Sequence, residues 1–274
     1  METNERKGHL HLHTGASDGL ITPQDVLNAK LGFVAVTDHD TLDAIVRFKQ
    51  LEKQGIEVIP GIELSARHMG KNIHMLVYYP EYKPEFVKAL YAFSRKRVER
   101  GIRTAEKLNS LGFRISIDEM TRGNIVTKGT IANALFSYPE NTALLEKAGI
   151  KCKTAFIKTY LDDNGPAAVE LPGIEVSELF RMVDGVKVLA HPGHNLTMGG
   201  HDALVRDLKE NYGLWGIEVW TRRHDYGQEE HYYGLAKKLG LYPIMTNDVH
   251  TVSDIAQNMA PYGMVEAIKR QKML

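Results

Sequence analysis

Short runs of apolar and β-branched residues recur along the chain, each followed by a polar turn and then by a segment with helical spacing. HLHLHT, FVAVTD, EVIPGIE, NIHMLVYY, VKVLAHP, GIEVW and YPIMTND make seven candidate strands. Thr22-Pro23 supplies an N-cap and a first-turn proline before QDVLNAKLG, and Thr41 is placed to cap LDAIVRFKQLEKQG, which stops at Gly55. VSELFRMVDG, DALVRDLKENYG and QEEHYYGLAKKLG repeat the helical pattern, and MAPYGMVEAIKRQKML reads as a last helix or a frayed tail. Strands that alternate with helices predict parallel pairing with helices outside, hence an α/β fold of closed or nearly closed barrel type. In such barrels functional groups collect at the carboxyl ends of the strands.

One segment breaks the rhythm. Residues 84–171 are mostly helical in pattern, from FVKALYAFSRKRVERGIRTAEKLNSLG through TIANALF to FIKTYLDDNGPAAVELPG. They are expected to form an insertion between the fourth and fifth strands, in the manner of a lid, with the barrel built from residues 1–83 and 172–274.

At 274 residues, 43% hydrophobic and 25% charged, the chain can bury a sizeable core. No apolar run approaches the length of a membrane span, and METNERKG lacks the apolar centre of a signal peptide, so a cytoplasmic location is expected. The single cysteine, Cys152, rules out an intramolecular disulfide and a multi-cysteine zinc site, and is read as an inert, partly buried thiol. Lys and Arg total 34 against 34 Asp and Glu, so the summed charge offers no long-range attraction for long nucleic acid. A small anionic ligand, or a short oligonucleotide on a local patch, fits that balance. Lys96, Arg100, Arg103 and Lys107 share a helical face, but interleaved Glu99 and Glu106 mark it as a solvated surface.

Polar residues of one chemical kind gather at the predicted strand ends. Period two puts His11 and His13 on one strand face, with His9 further down, and the glycines of GASDG allow Asp18 to fold back toward the strand end. TDHDT follows the second strand with Asp38, His39 and Asp40, Glu63 ends the third, and His74 lies in the fourth. His191 follows the fifth in AHPGH, and Asp248 and His250 follow the last in NDVHT. Carboxylates and imidazoles packed at one barrel mouth desolvate and repel one another unless cations compensate. Nitrogen and oxygen ligands without sulfur suit manganese, iron or zinc, and their number points to two or three ions.

The ordered set HLHT…SDG, TDHDT, GIE, an in-strand histidine, AHP and NDVH resembles the PHP (polymerase and histidinol phosphatase) family of metal-dependent phosphoesterases, in its stand-alone type with a helical insertion. The resemblance implies a distorted seven-stranded TIM-like β/α barrel with a trinuclear site. It makes His11, His13, Glu63 and Asp248 the ligands of one ion, with Glu63 bridging to a second held by His74 and His191, and Asp18, His39 and His250 holding the third. Departures from the family pattern fall at His9, Asn247, Val249 and His194, and at Lys128-Gly129-Thr130-Ile131-Ala132 in the insertion, around groups expected to meet substrate phosphate.

The implied reaction is hydrolysis of a phosphomonoester by in-line attack of metal-activated water held by Glu63, Asp248 and His250. Lys128, His194, Arg222 and Arg223 are the candidates for binding phosphate, and Asp38 for orienting an imidazole. Tyr78, Tyr79 and Trp220 are read as packing, and Glu218 as a buried structural group. A nucleotide leads among substrates, whether a nucleoside monophosphate, a 3',5'-bisphosphate or a short RNA. Histidinol phosphate is the runner-up, and a non-catalytic, metal-stabilised interaction module is the alternative of a different class. Amidohydrolases also begin a barrel with His-x-His, but do not account for TDHDT or GIE. Neither a membrane nor an obligate protein partner is expected.

Overall fold

The computed structural model describes residues 6–121, 125–162, 164–196 and 198–274. The first five residues, part of the segment judged to lack a signal peptide, fall outside the described residues. The chain divides into two compact units, one of Met1–Gly15, Gly19–Lys88 and Pro172–Leu274, the other of Ala16–Asp18 and Ala89–Leu171.

The first unit is built on nine strands among the described residues: β1 (Lys7–His9), β2 (Phe33–Val36), β3 (Glu57–His68), β4 (Lys71–Tyr82), β5 (Ile174–Glu175), β6 (Val183–Ala190), β7 (Gly216–Trp220), β8 (Tyr242–Met245) and β9 (Ala260–Pro261). Neighbours run β8-β7-β6-β4-β3-β2-β1-β9, with β5 against β3. Beyond the end of β1, Leu12 bridges in parallel to Val249, beyond the end of β8. There the His13 N–H donates to the Val249 carbonyl at 2.8 Å and the Val249 N–H to that of His11 at 3.0 Å. These bonds bring the sheet round into a nearly closed barrel of the expected class.

Two features differ from the alternation read in the sequence. β4 runs antiparallel to both β3 and β6. A hairpin joins β3 to β4 through Met69 and Gly70, both left-handed at φ 48° and 75°, as a two-residue turn between right-twisted strands requires. The short strands β5 and β9 are two residues each, too brief to carry any periodic signal. In addition, β3 does not end at Glu63 but continues to His68, and β1 closes at His9, so that His11 and His13 follow the strand.

The helix starts follow the capping chemistry unevenly. Thr22 forms a capping box with Asp25 at the head of Pro23–Asn28. Leu42, not Thr41, occupies the N-cap of Asp43–Phe48; Thr41 instead accepts the Asp43 N–H at 3.3 Å. That helix tightens to a 3-10 turn over Lys49–Gln54 and stops at Gly55, left-handed at φ 80°. Asp225 caps Tyr226–Leu239, and the segment read as a last helix or frayed tail is helical over Tyr262–Lys272. Among the described residues no helix is long and apolar enough to cross a membrane.

All of β2 is buried, as expected of a strand covered on both faces. Phe33, Ala35, Ile59, Leu76, Tyr78, Val188 and Ile244 pack in one core cluster with Leu10. Tyr78 lies within it at 0% exposure and donates its hydroxyl to the Leu10 carbonyl at 2.7 Å, tying the core to the segment that carries His11. Tyr78→Phe leaves that carbonyl without its donor, and is expected to lower the unfolding free energy by about 1–3 kcal/mol, read by urea denaturation.

The second unit has its own core, with Leu108, Phe113, Met120, Leu135 and Phe156 buried together. The helix Lys128–Phe136 within it starts at a Thr127–Thr130 capping box. Cys152 is exposed rather than partly buried, preceding the short helix Lys153–Phe156.

Candidate metal centre

The segment after β1 delivers two imidazoles together: His11 Nε2 and His13 Nε2 lie 3.0 Å apart and both rings are fully buried. After β2, His39 forms a parallel bridge with Glu63, which sets that turn against the middle of β3. Because β4 is antiparallel, its early residue His74 pairs with Ser65, close to Glu63 on β3 and to Ala190 at the end of β6. The turn after β6 adds His191, and the turn after β8 adds Asp248 and His250. Eight of the nine anticipated ligands thus come together in the barrel unit: His11, His13, His39, Glu63, His74, His191, Asp248 and His250.

Glu63 is central and fully buried. Its Oε1 lies 3.0 Å from His74 Nδ1 and 2.9 Å from His191 Nε2. Its Oε2 faces a different set: His39 Nδ1 at 3.0 Å, His13 Nε2 at 3.2 Å and His11 Nε2 at 3.3 Å. Asp248 Oδ1 lies beside the second set, 3.2 Å from His13 Nε2, 3.5 Å from His11 Nε2 and 3.4 Å from His250 Nδ1. Despite this crowding, Glu63 Oε2, Asp248 Oδ1 and His74 Nδ1 are buried without a hydrogen-bond partner among the described residues. Polar atoms buried side by side and left without a hydrogen bond are the arrangement a cation satisfies.

His11, His13 and Glu63 form one group whose ligand atoms lie within 4.8 Å of one another; His11, His191 and Asp248 form another, and His39, Glu63 and His74 a third. The donors are nitrogen and oxygen only, so the residues present fit divalent manganese, iron or zinc.

The electrostatics show the same tension. Burial alone would raise the Glu63 pKa, yet His39, His11 and His74 hold it well below the ordinary carboxylate range. Burial would likewise raise Asp248, but Arg223, His250 and His11 hold it well down. Burial would lower His13, whereas the carboxylates of Asp248 and Glu63 raise it to about 10. The carboxylates are held down and the imidazoles held up, as close packing of opposite charges at a buried site requires. The backbone is strained at the same places: Asp40, His191 and Asp248 are left-handed at φ 51°, 25° and 48°.

The PHP domain profile matches residues 9–159, more than half of the chain. The chain belongs to the PHP domain family. Among relatives of this PHP protein, a 5'-3' exoribonuclease of Haemophilus influenzae is 26% identical over 264 residues, covering 89% of this chain and 90% of its own. A 3',5'-nucleoside bisphosphate phosphatase of Chromobacterium violaceum is 23% identical over 251 residues, covering 88% of this chain and 86% of its own. A solved structure from Bifidobacterium adolescentis, provisionally described as a metal-dependent phosphoesterase, superposes with a TM-score of 0.78 at 23% identity, covering 98% of both chains. That likeness establishes the fold.

The other anticipated residues of the PHP site are placed as follows. Asp18 belongs to the helical unit, where its Oδ2 accepts the Thr127 hydroxyl at 2.7 Å. His9 is buried and turned to the Ile255 carbonyl at 2.8 Å, away from the ligand groups. Asp38 accepts both the N–H and the hydroxyl of Thr14 at 2.7 Å, and so steadies the segment next to His13. His194 is exposed, with its ring 5.7 Å from that of His191. Lys128 pairs with Asp162 at 2.7 Å within the helical unit.

Arg222 and Arg223 follow β7 and hold the Asp248 turn. Arg222 reaches the Asp254 carboxylate at 2.5 Å and the Asp248 carbonyl at 2.8 Å, while Arg223 Nε donates to Asp248 Oδ2 at 2.5 Å. Glu218, read as a buried structural group, is buried and hydrogen-bonded, and its carboxylate contacts both His11 and His191. The available signal was an acid at the centre of an otherwise apolar β7, GIEVW, where an unpartnered charge would be prohibitive.

Proposed function

We propose that this protein is a metal-dependent phosphoesterase that hydrolyses a phosphate ester of a nucleotide or short RNA. The observation that carries the reading is the Glu63 carboxylate, fully buried with one oxygen toward His74 and His191 and the other, without a hydrogen bond, toward His11, His13 and His39. A carboxylate so placed could hold a divalent ion at each oxygen.

In this reading His11, His13 and Asp248 hold one divalent ion with Glu63, and His74 and His191 share Glu63 with a second. His39 and His250 are assigned to a third. Ions held there supply Lewis acidity toward water and phosphoryl oxygens. Glu63, Asp248 and His250 orient the attacking water, and Arg223 keeps Asp248 turned by occupying its Oδ2. His194, Arg222 and Arg223 are the groups of the barrel unit proposed to meet substrate phosphate. Because Arg222 and Arg223 already hold the Asp248 turn, their roles in binding phosphate and in shaping the metal centre are joined. The names of the exoribonuclease and bisphosphate phosphatase relatives support a nucleotide or RNA substrate.

The test is phosphate release with manganese from a nucleoside monophosphate, a 3',5'-bisphosphate, a 5'-phosphorylated oligoribonucleotide and histidinol phosphate, each with and without chelator. Chelator-sensitive release from one of the first three is expected. Release from none, or best from histidinol phosphate, overturns the assignment.

A narrower prediction concerns Asp18. Gly129, in the first turn of Lys128–Phe136, has no side chain where Asp18 approaches; an added Cβ would lie 2.6 Å from Asp18 Oδ2. Gly129→Ala is therefore expected to displace the carboxylate from the Thr127 hydroxyl and lower the unfolding free energy by about 1 kcal/mol, read by urea denaturation, although alanine suits the helix better than glycine.

A further inference from the structure

We propose that Glu218 is a positioning residue that aligns both halves of the metal centre, setting the ring orientation and tautomer of His11 with one oxygen and the backbone pose of His191 with the other. The proposal rests on the metal-dependent reading above.

Glu218 lies on β7 with no exposed surface. Its Oε1 is 2.8 Å from His11 Nδ1, and its Oε2 accepts the His191 backbone N–H at 2.7 Å. Both oxygens are therefore engaged by residues of the metal centre, but from different strands: His11 follows β1 and His191 follows β6. With Nδ1 carrying the proton given to Glu218, the bare nitrogen of His11 is Nε2. That atom points to Glu63 Oε2 at 3.3 Å and Asp248 Oδ1 at 3.5 Å. His191 is held at φ 25°, a conformation that a β-carbon disfavours, and the charge-assisted bond from its N–H offsets that cost.

The chemistry of the side chain makes the role specific. A carboxylate accepts two hydrogen bonds, one at each oxygen; an amide offers one accepting oxygen and one donating nitrogen. In Glu218→Gln, an amide that keeps its oxygen on His11 turns N–H against the His191 N–H, and the bond to His191 is lost. An amide turned the other way donates to His11 Nδ1 and moves that ring's proton to Nε2, the atom needed for metal. A group that merely fills space in β7 would show neither effect.

The experiment compares metal-free wild type and Glu218→Gln in titrations with cobalt, followed by the visible spectrum, and with manganese, followed by the free-ion signal. The expected result is metal affinity lowered at least about tenfold and an altered cobalt spectrum in a folded variant. Equal affinity and an identical spectrum overturn the proposal while leaving the metal-dependent reading intact. A wild type that takes up no metal overturns both. The second measurement needs no variant: in zinc-loaded wild type labelled with ¹⁵N-histidine, His11 is expected to show an exchange-protected proton on Nδ1 with Nε2 unprotonated. The opposite tautomer, or an unprotected Nδ1 proton, overturns the proposal.

Discussion

Glu63→Gln is expected to reduce chelator-sensitive turnover by about a thousandfold or more, equivalent to roughly 4 kcal/mol of transition-state stabilisation. The substitution is nearly isosteric, so the shape of β3 survives and the loss is one of charge and acceptor count. Glu63 places negative charge within 3.3 Å of His11, His13, His39, His74 and His191, at one or other oxygen. An amide has only one accepting oxygen and cannot face both imidazole sets with lone pairs. Metal retention is therefore expected to fall together with turnover, measured by elemental analysis beside the phosphate-release assay, with circular dichroism to verify the fold. Wild-type turnover in a folded variant would remove Glu63 from the centre.

The barrel was readable in the chain because buried strands and helix caps act locally. Alternate spacing put His11 and His13 together although β1 closes at His9, and the structure has their Nε2 atoms 3.0 Å apart. Thr22-Pro23 declared its helix through a capping box that needs only the four residues concerned. The β3–β4 reversal was not readable, because Met69-Gly70 lacks the Asn-Gly or Asp-Gly signature by which such turns announce themselves. That reversal matters to the site, since it carries His74 back to Glu63. The candidate ligands were visible because their chemistry is costly anywhere else, whereas the groups that hold them were not. Arg222 and Arg223 read as candidates for binding phosphate in the sequence, but their pairing with Asp254 and Asp248 depends on how the turns after β7 and β8 meet. Asp38 offers the same lesson on a smaller scale, since it accepts two bonds from Thr14, a residue far from it in the chain.

Adding manganese to the metal-free protein is expected to raise its melting temperature far more at pH 8.5 than at pH 5.5, and to release protons into solution. The sign follows from the directions of the shifts. His11 stands well above its ordinary value of 6.5 because Glu63, Glu218 and Asp248 outweigh burial, and His13 stands at about 10. Groups raised on folding contribute stability that is fully present below 6.5 and is lost as pH rises through the folded value. Glu63 and Asp248, ordinarily at 4.5 and 3.8, are held below those values, so their contribution is present above them and is lost as pH falls. The metal-free cluster is thus most favourable between about 4.5 and 6.5, with imidazolium standing in for metal. Metal requires the imidazole lone pairs bare, so each ion bound must displace protons, and affinity rises with pH across the range where His11 and His13 would otherwise stay protonated. At a thousandfold excess of metal over its dissociation constant the stabilisation is about 4 kcal/mol, or on the order of 10 °C for a chain of this size. Scanning calorimetry at the two pH values, with titration of the protons released at pH 7, measures both effects. A larger rise at pH 5.5, or uptake of protons on binding, would mean that these imidazoles are not the groups the metal takes.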